Sequence, residues 1–156
     1  MKVYRLAKER PGSYLADDLS GVAAALTGVR WNPRGIPVLY TCVHASTSVL
    51  EAVIKMAGLL PRTDFFLVTL DVPDDLFVNA YVPDLPADWR ELTRDCEATA
   101  EIGRSWAQRG RHVAMRVPSV ACPVDFNLLL NPKHPHMARV KVVCKEVFRP
   151  DPQMFH

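Results

Sequence analysis

The sequence lacks the long apolar segments that mark membrane and secreted proteins. No run reaches the roughly 18 consecutive apolar residues of a membrane span. Residues 1–6 are followed by charged Lys8, Glu9 and Arg10 instead of an apolar segment, so no signal peptide is predicted. The four cysteines form no Cys-x-x-Cys pair, and a globular chain of this length folds without disulfides. These absences predict a soluble cytoplasmic protein with reduced thiols and no membrane contact.

Strong charge and nucleotide-binding glycine motifs are also missing. The formal net charge is only +2, and no basic stripe with interleaved aromatics is present, so direct nucleic-acid binding is not expected. The absence of a Walker A loop and of a G-x-G-x-x-G segment argues against a P-loop NTPase and a Rossmann cofactor site. Any phosphate recognition would therefore depend on arginine.

What is present is the composition of one compact domain over residues 1–156. The chain is 49% hydrophobic and 23% charged, with no repeat or low-complexity segment. Apolar runs predict strands at 3–6, 65–70 and 140–148, and helical spacing predicts helices at 13–26, 49–60 and 97–108. A further strand is predicted at 77–82. The mixture indicates an α/β or α+β fold with a mixed central sheet flanked by helices.

One stretch, residues 28–51, concentrates chemically useful side chains. Arg30 and Trp31 lie in a turn-rich segment, because the following Asn-Pro pair and Gly35 redirect the chain. A short strand then carries Tyr40 near its exit, and Glu51 follows near the start of a helix. The order of loop, strand and helix predicts a cleft at the end of the strand, lined by a guanidinium, a phenol and a carboxylate.

Each of these residues also has an ordinary structural interpretation. Glu51 completes an S-x-x-E capping box with Ser48, or pairs with Lys55 one turn later. Arg30 could be a solvated arginine stacked on Trp31. Tyr40 could be a half-buried strand residue. Spacing alone does not decide between these interpretations and a catalytic site.

Three other candidate motifs are incomplete. His134 and His136 lack the further ligands that a zinc site requires, so no metal is expected. Ser119 has no G-x-S-x-G elbow around it, which argues against a serine hydrolase. Cys42 and His44 are too close in sequence to form a nucleophilic dyad, and a structural thiol is expected at Cys42.

Two blocks of sequence, in the same order, resemble the RES domain of bacterial toxin-antitoxin systems, and the resemblance covers nearly the whole chain. The first block runs from Gly28 through Arg30, Trp31, Asn32, Gly35, Pro37, Val38 and Tyr40 to Glu51. The second contains Val117, Pro118, Ser119, Pro123, Asn127, Leu129, Leu130, Asn131, Pro132, His134 and Pro135. One departure is Val29, where the family's G-G-R-W element has glycine.

The resemblance implies a fold related to the ADP-ribosyltransferases, with NAD⁺ as the substrate and the nicotinamide-ribosyl bond as the bond that is cleaved. It also implies a toxin whose partner is an antitoxin with an Xre-type helix-turn-helix domain, and it allows a homodimer within the complex. ADP-ribose would pass to water, to phosphate or to a protein side chain. A non-catalytic module that binds a nucleotide or a protein is the alternative.

The family's functional residues fall on Arg30, Tyr40 and Glu51 as catalytic residues. Cleavage of an N-ribosyl bond develops positive charge on the ribose, and a fixed carboxylate stabilises that transition state more than the ground state. Glu51 is expected to supply it. Arg30 is expected to grip the pyrophosphate through its planar fork. The expected contacts to NAD⁺ come from Arg30, Trp31, Tyr40, Ser119 and Asn127.

Overall fold

A computed structural model describes residues 1–91 and 96–155 of the chain. The strands are β1 (Lys2–Ala7), β2 (Leu39–Cys42), β3 (Phe65–Asp71), β4 (Ala114–Pro118), β5 (Phe126–Leu130) and β6 (Lys141–Phe148). The helices are α1 (Val22–Thr27), α2 (Ala45–Lys55), α3 (Asp74–Val78) and α4 (Glu97–Arg109), with short 3₁₀ turns at Pro135–Arg139 and Pro152–Met154. Within the described ranges, no helix combines the length and the apolar character needed to cross a membrane.

The six strands form one sheet in the order β4-β5-β2-β1-β3-β6. Every pair of neighbouring strands is antiparallel, so the predicted α+β class is confirmed, but the expectation of a mixed sheet was wrong. Among the described residues, the parallel pairing is confined to an isolated bridge between Tyr81 and Met115. Strands and helices intermix along the chain, but the connection through α1 joins β1 and β2 as antiparallel neighbours, so a helix between two strands does not by itself make them parallel.

Both faces of the sheet carry a hydrophobic core. Leu128 and Leu130 of β5 pack into one cluster, whereas Leu129 between them packs into the other with Trp31 and Trp106. Since successive side chains of a strand point to opposite faces, the leucine triplet is buried on both sides. The second cluster contains Trp31, the residue after Arg30, together with Leu129 of β5. The loop that carries Arg30 is therefore packed against the sheet.

The sheet opens between β1 and β2. These strands share a single register pair, Tyr4 with Cys42, whereas β1 pairs with β3 along its whole length. Residues of both strands line a hollow beside this short pairing.

Local patterns predicted several elements correctly and others incorrectly. Strands β1, β3 and β6 and helix α4 are confirmed. The helix predicted at 13–26 is observed only at Val22–Thr27. It cannot begin earlier, because Gly21 adopts φ +69° and lies so close to the Val38 backbone that a Cβ on Gly21 would be 2.8 Å from the Val38 nitrogen.

The strand predicted at 77–82 was wrong. Pro73 precedes a short helix whose first turn carries Asp74 and Asp75, which are favourable residues at a helix N-terminus.

Helix α2 begins earlier than the capping-box pattern predicts. Its N-cap is His44, in extended conformation, and the Ser48 hydroxyl donates to the Ala45 carbonyl at 2.7 Å. Ser48 is therefore a residue of the helix and not its cap. Glu51 lies in the middle of α2, so the capping interpretation of Glu51 was wrong.

Candidate active site

The cleft consists of two adjoining hollows of about 260 and 410 Å³. The smaller is named the Arg30 lobe, because Arg30 and Trp31 line it together with Val120 and Ala121. The larger is named the Arg5 lobe, because Arg5 of β1 lines it with Lys8. The residues that line both lobes are Val29, Tyr40, Glu51, Lys55 and Asn127. Glu51 therefore lies where the two hollows meet.

The Glu51 carboxylate is held by two side chains from the other end of the chain. The Ser119 hydroxyl donates to Oε1 at 2.7 Å, and Nδ2 of Asn127 donates to the same oxygen at 2.8 Å. Both donors are buried. Two hydrogen bonds to one oxygen fix the direction of the carboxylate. Since both bonds go to Oε1, the described residues leave the lone pairs of Oε2 available to a ligand.

Asn127 has an acceptor atom that the described part of the chain does not satisfy. Its Oδ1 is buried and makes no hydrogen bond with residues 1–91 or 96–155, although the side chain lines both lobes. A buried acceptor without a partner costs about 1–3 kcal/mol.

The loop that carries Arg30 is held together by Asn32 and Tyr40. The amide of Asn32 donates to the carbonyls of Ala24, Pro33 and Ile36. Its Oδ1 accepts the Tyr40 hydroxyl proton at 2.6 Å, and that hydroxyl accepts from the Trp31 backbone nitrogen at 3.1 Å. Burial raises the pKa of Tyr40. Tyr40 thus stays neutral and presents its ring to the cleft, while its hydroxyl is used within the loop.

Val29 is accommodated at the position where the sequence resemblance leads to an expectation of glycine. The positive φ of this turn falls on Gly28, at +70°. Val29 and Asn32 then form a backbone bridge, with N···O distances of 3.0 and 3.3 Å. The valine therefore leaves the entry to Arg30 intact.

Arg30 and Trp31 occupy different environments. Nη1 of Arg30 donates to the Trp89 carbonyl at 2.8 Å, and its remaining N–H groups can bind an anion. Trp31 is only 2% exposed, and its ring packs on that of Trp89 with centroids 6.2 Å apart. Trp31 lines the Arg30 lobe from within the core, and its aromatic partner is Trp89.

Arg5 is a site residue that the sequence patterns did not identify. Its Nη1 donates to the Asp18 carbonyl at 3.1 Å, and burial lowers its pKa, against the opposing effect of nearby Asp18 and Asp17. A half-buried cation that lines a cleft attracts an anionic ligand. The available signal was an arginine within the otherwise apolar and aromatic segment of residues 3–6.

The residues set aside on sequence grounds have structural roles. Burial raises the pKa of Cys42 to about 12, so its thiol is protonated at neutral pH. His44 pairs instead with Asp125 at 2.8 Å, and the Thr47 hydroxyl donates to the other oxygen of that carboxylate. Nδ1 of His134 accepts from the backbone nitrogen of His136 at 3.0 Å, which caps the 3₁₀ turn.

The chain matches the family model described as RES domain over residues 2–152. It is 36% identical over 150 residues to a "Prs ADP-ribosylating toxin" of Sphingobium sp. (strain YBL2), covering 91% of this chain and 89% of that protein. It is 32% identical over 133 residues to a "Toxin Res" of Photorhabdus laumondii subsp. laumondii, covering 85% and 82% of the two chains.

A solved structure shares the fold at low identity. It is the crystal structure of the M. tuberculosis MbcT-MbcA toxin-antitoxin complex, with a TM-score of 0.70 and 17% sequence identity over 95% of this chain and 84% of that chain. The match to the family model over nearly the whole length, and the two relatives above 30% identity, agree with each other. The chain belongs to the RES domain family.

Proposed function

We propose that residues 1–156 act as one catalytic unit that binds NAD⁺ and breaks its nicotinamide-ribosyl bond. The observation that carries this proposal is the Glu51 carboxylate, oriented by Ser119 and Asn127 at the junction of two lobes. As nicotinamide departs, positive charge develops on the ribose carbon, and an oriented carboxylate stabilises it with little reorganisation. Nicotinamide leaves with the bonding electron pair, and the acceptor forms the new bond to the ribose.

The shape of the cleft suits a dinucleotide with its reacting bond at the centre. Together the lobes fall within the roughly 300–1,000 Å³ of a small-molecule site. Arg30 stands on one side of Glu51 and Arg5 on the other. Either guanidinium can bind the pyrophosphate through paired N–H groups. The Tyr40 ring forms a flat wall between the lobes, against which nicotinamide can stack.

The acceptor of ADP-ribose is water, phosphate or a protein side chain. The name of the relative from Sphingobium describes ADP-ribosylation, which supports transfer over hydrolysis. Mass spectrometry of the products and of the modified proteins after expression identifies the acceptor. A mass increase of ADP-ribose on a protein supports transfer, whereas free ADP-ribose alone supports hydrolysis.

We further propose that the protein is a cytoplasmic toxin neutralised by an antitoxin with an Xre-type helix-turn-helix domain. Two relatives are named toxins, and the structural neighbour is a toxin-antitoxin complex. Expression without the antitoxin should slow growth, and co-expression should restore it. Normal growth at confirmed expression of the folded protein would contradict the toxin assignment.

The experiment that tests the enzymatic proposal is incubation of the purified protein with NAD⁺, followed by chromatographic measurement of nicotinamide. Time-dependent release supports the proposal. Saturable NAD⁺ binding by calorimetry, without release in the presence of phosphate, water or cell lysate proteins, would instead support a non-catalytic binding module.

A further inference from the structure

Helix α4 lies directly on the backbone of Arg30 and Trp31. The Thr99 hydroxyl donates to the Arg30 carbonyl at 2.7 Å, and Thr99 is 3% exposed. One turn later, Gly103 approaches the chain so closely that a Cβ there would lie 1.6 Å from the Trp31 carbonyl oxygen. No other residue type fits at this position unless the helix and the loop separate.

These contacts fix the backbone from which the Arg30 side chain extends. A guanidinium stands at the end of a long flexible stem, so its position depends on the backbone at its base and on the bonds at its tip. Thr99 and Gly103 hold the base, while the Trp89 carbonyl holds the tip at 2.8 Å. Thr99 and Gly103 line neither lobe of the cleft, so any effect they have on a ligand passes through other residues.

We propose that Thr99 and Gly103 are positioning residues that hold Arg30 in register for NAD⁺. This inference rests on the proposed function, because it requires that Arg30 contacts the dinucleotide. A misplacement of about 1 Å can cost on the order of a hundredfold in reaction rate, and the loss of binding affinity expected here is about tenfold. The helix therefore determines substrate affinity from outside the cleft.

The test measures NAD⁺ affinity by calorimetry in proteins that all carry Glu51→Gln, so that the ligand is not consumed. Thr99→Val keeps the shape of the side chain and removes its donor, and it should weaken NAD⁺ binding roughly tenfold. Thr99→Ser, which restores the donor, should stay within about twofold of the reference. Gln108→Ala, on the exposed side of the same helix, serves as the control and should also stay within about twofold.

A second set in an Arg30→Ala background separates positioning from a general structural effect. Arg30→Ala keeps the backbone carbonyl that accepts from Thr99. Thr99→Val should therefore lower the unfolding free energy by the same amount with and without Arg30→Ala. The loss of NAD⁺ affinity should disappear, because the group being positioned is gone. Gly103→Ala should weaken binding at least as much as Thr99→Val. If Gly103→Ala does not fold, the Thr99 pair alone carries the test.

The outcomes distinguish this inference from the proposed function. Failure of both the parent protein and the Glu51→Gln reference to bind NAD⁺ would overturn both. NAD⁺ binding by the reference with unchanged affinity in Thr99→Val would overturn the positioning role alone. Equal losses of affinity with and without the Arg30→Ala substitution would also overturn it, because Thr99 would then act without the guanidinium.

Discussion

The hydroxyl oxygen of Ser119 lies 2.7 Å from Oε1 of Glu51, although 68 residues separate them in the chain. Ser119 directly follows β4, and Glu51 lies in the middle of α2. The contact exists only because the sheet places β4 and β5 beside β2, the strand that leads into α2. It makes the serine a partner of the carboxylate rather than a nucleophile.

Replacing Ser119 with alanine should therefore slow nicotinamide release without abolishing it. A hydrogen bond to a charged group is worth about 1.5–3 kcal/mol, so the rate should fall roughly tenfold to a hundredfold while Asn127 keeps part of the orientation. Steady-state kinetics of nicotinamide release measure the effect. Ser13→Ala, at an exposed turn, is the matched control. An unchanged rate in folded Ser119→Ala would remove the serine from the site.

Local patterns and motif blocks predicted different parts of this molecule. Runs of apolar and β-branched residues sufficed for β1, β3 and β6, although β6 is exposed along nearly its whole length. The S-x-x-E pattern at Ser48 misplaced the start of α2, because a capping box is a local signal and Glu51 is engaged by Ser119 and Asn127 instead. The convergence of these three residues followed only from the family resemblance.

Arg5 and the helix contacts of Arg30 could not be predicted in this way. An arginine in a short strand is ordinarily a solvent-facing residue. Here Arg5 is half-buried and its guanidinium donates to the Asp18 carbonyl, a contact that forms only in the assembled fold. Thr99 and Gly103 likewise carry no signal in their own neighbourhood, because their partners lie on a distant loop.

Tyr40→Phe should loosen the Arg30 loop while keeping the aromatic wall. The change leaves the Trp31 nitrogen and Oδ1 of Asn32 without their shared hydroxyl, which costs about 1–3 kcal/mol of unfolding free energy. The KM for NAD⁺ should rise more than kcat falls, because the proposed role of Arg30 is in substrate binding. Denaturant unfolding and initial-rate kinetics test the two halves. Tyr81→Phe, outside both lobes, should change neither quantity appreciably.

Arg5→Lys should weaken NAD⁺ binding even though it keeps the positive charge. Lysine cannot reproduce the planar fork that binds a pyrophosphate with paired N–H groups. The KM for NAD⁺ should therefore rise roughly tenfold. Arg111→Lys, at an exposed position outside both lobes, controls for the general effect of the substitution. Equal KM values for the two variants would exclude Arg5 from substrate binding.

The buried thiol of Cys42 should make the fold sensitive to alkaline pH. Burial raises the pKa of Cys42 to about 12, so above about pH 9 the unfolded chain releases this proton while the folded protein retains it. Stability contributed by the neutral thiol is complete below about pH 9 and is lost as the pH rises towards 12. Thermal unfolding as a function of pH measures this. Cys42→Ala should flatten the decline, and Cys144→Ala, at an exposed position, should not. Identical slopes in all three proteins would refute the assignment.

The most direct test of the central claim is nicotinamide release from NAD⁺ by the purified protein and by Glu51→Gln. The amide keeps the size of the side chain and removes the charge, so the account predicts release by the parent protein and a loss of at least a hundredfold in the variant, equivalent to about 3 kcal/mol of transition-state stabilisation. Glu146→Gln, on the exposed edge strand β6, should release nicotinamide at the parental rate. Undiminished release by folded Glu51→Gln would contradict the account.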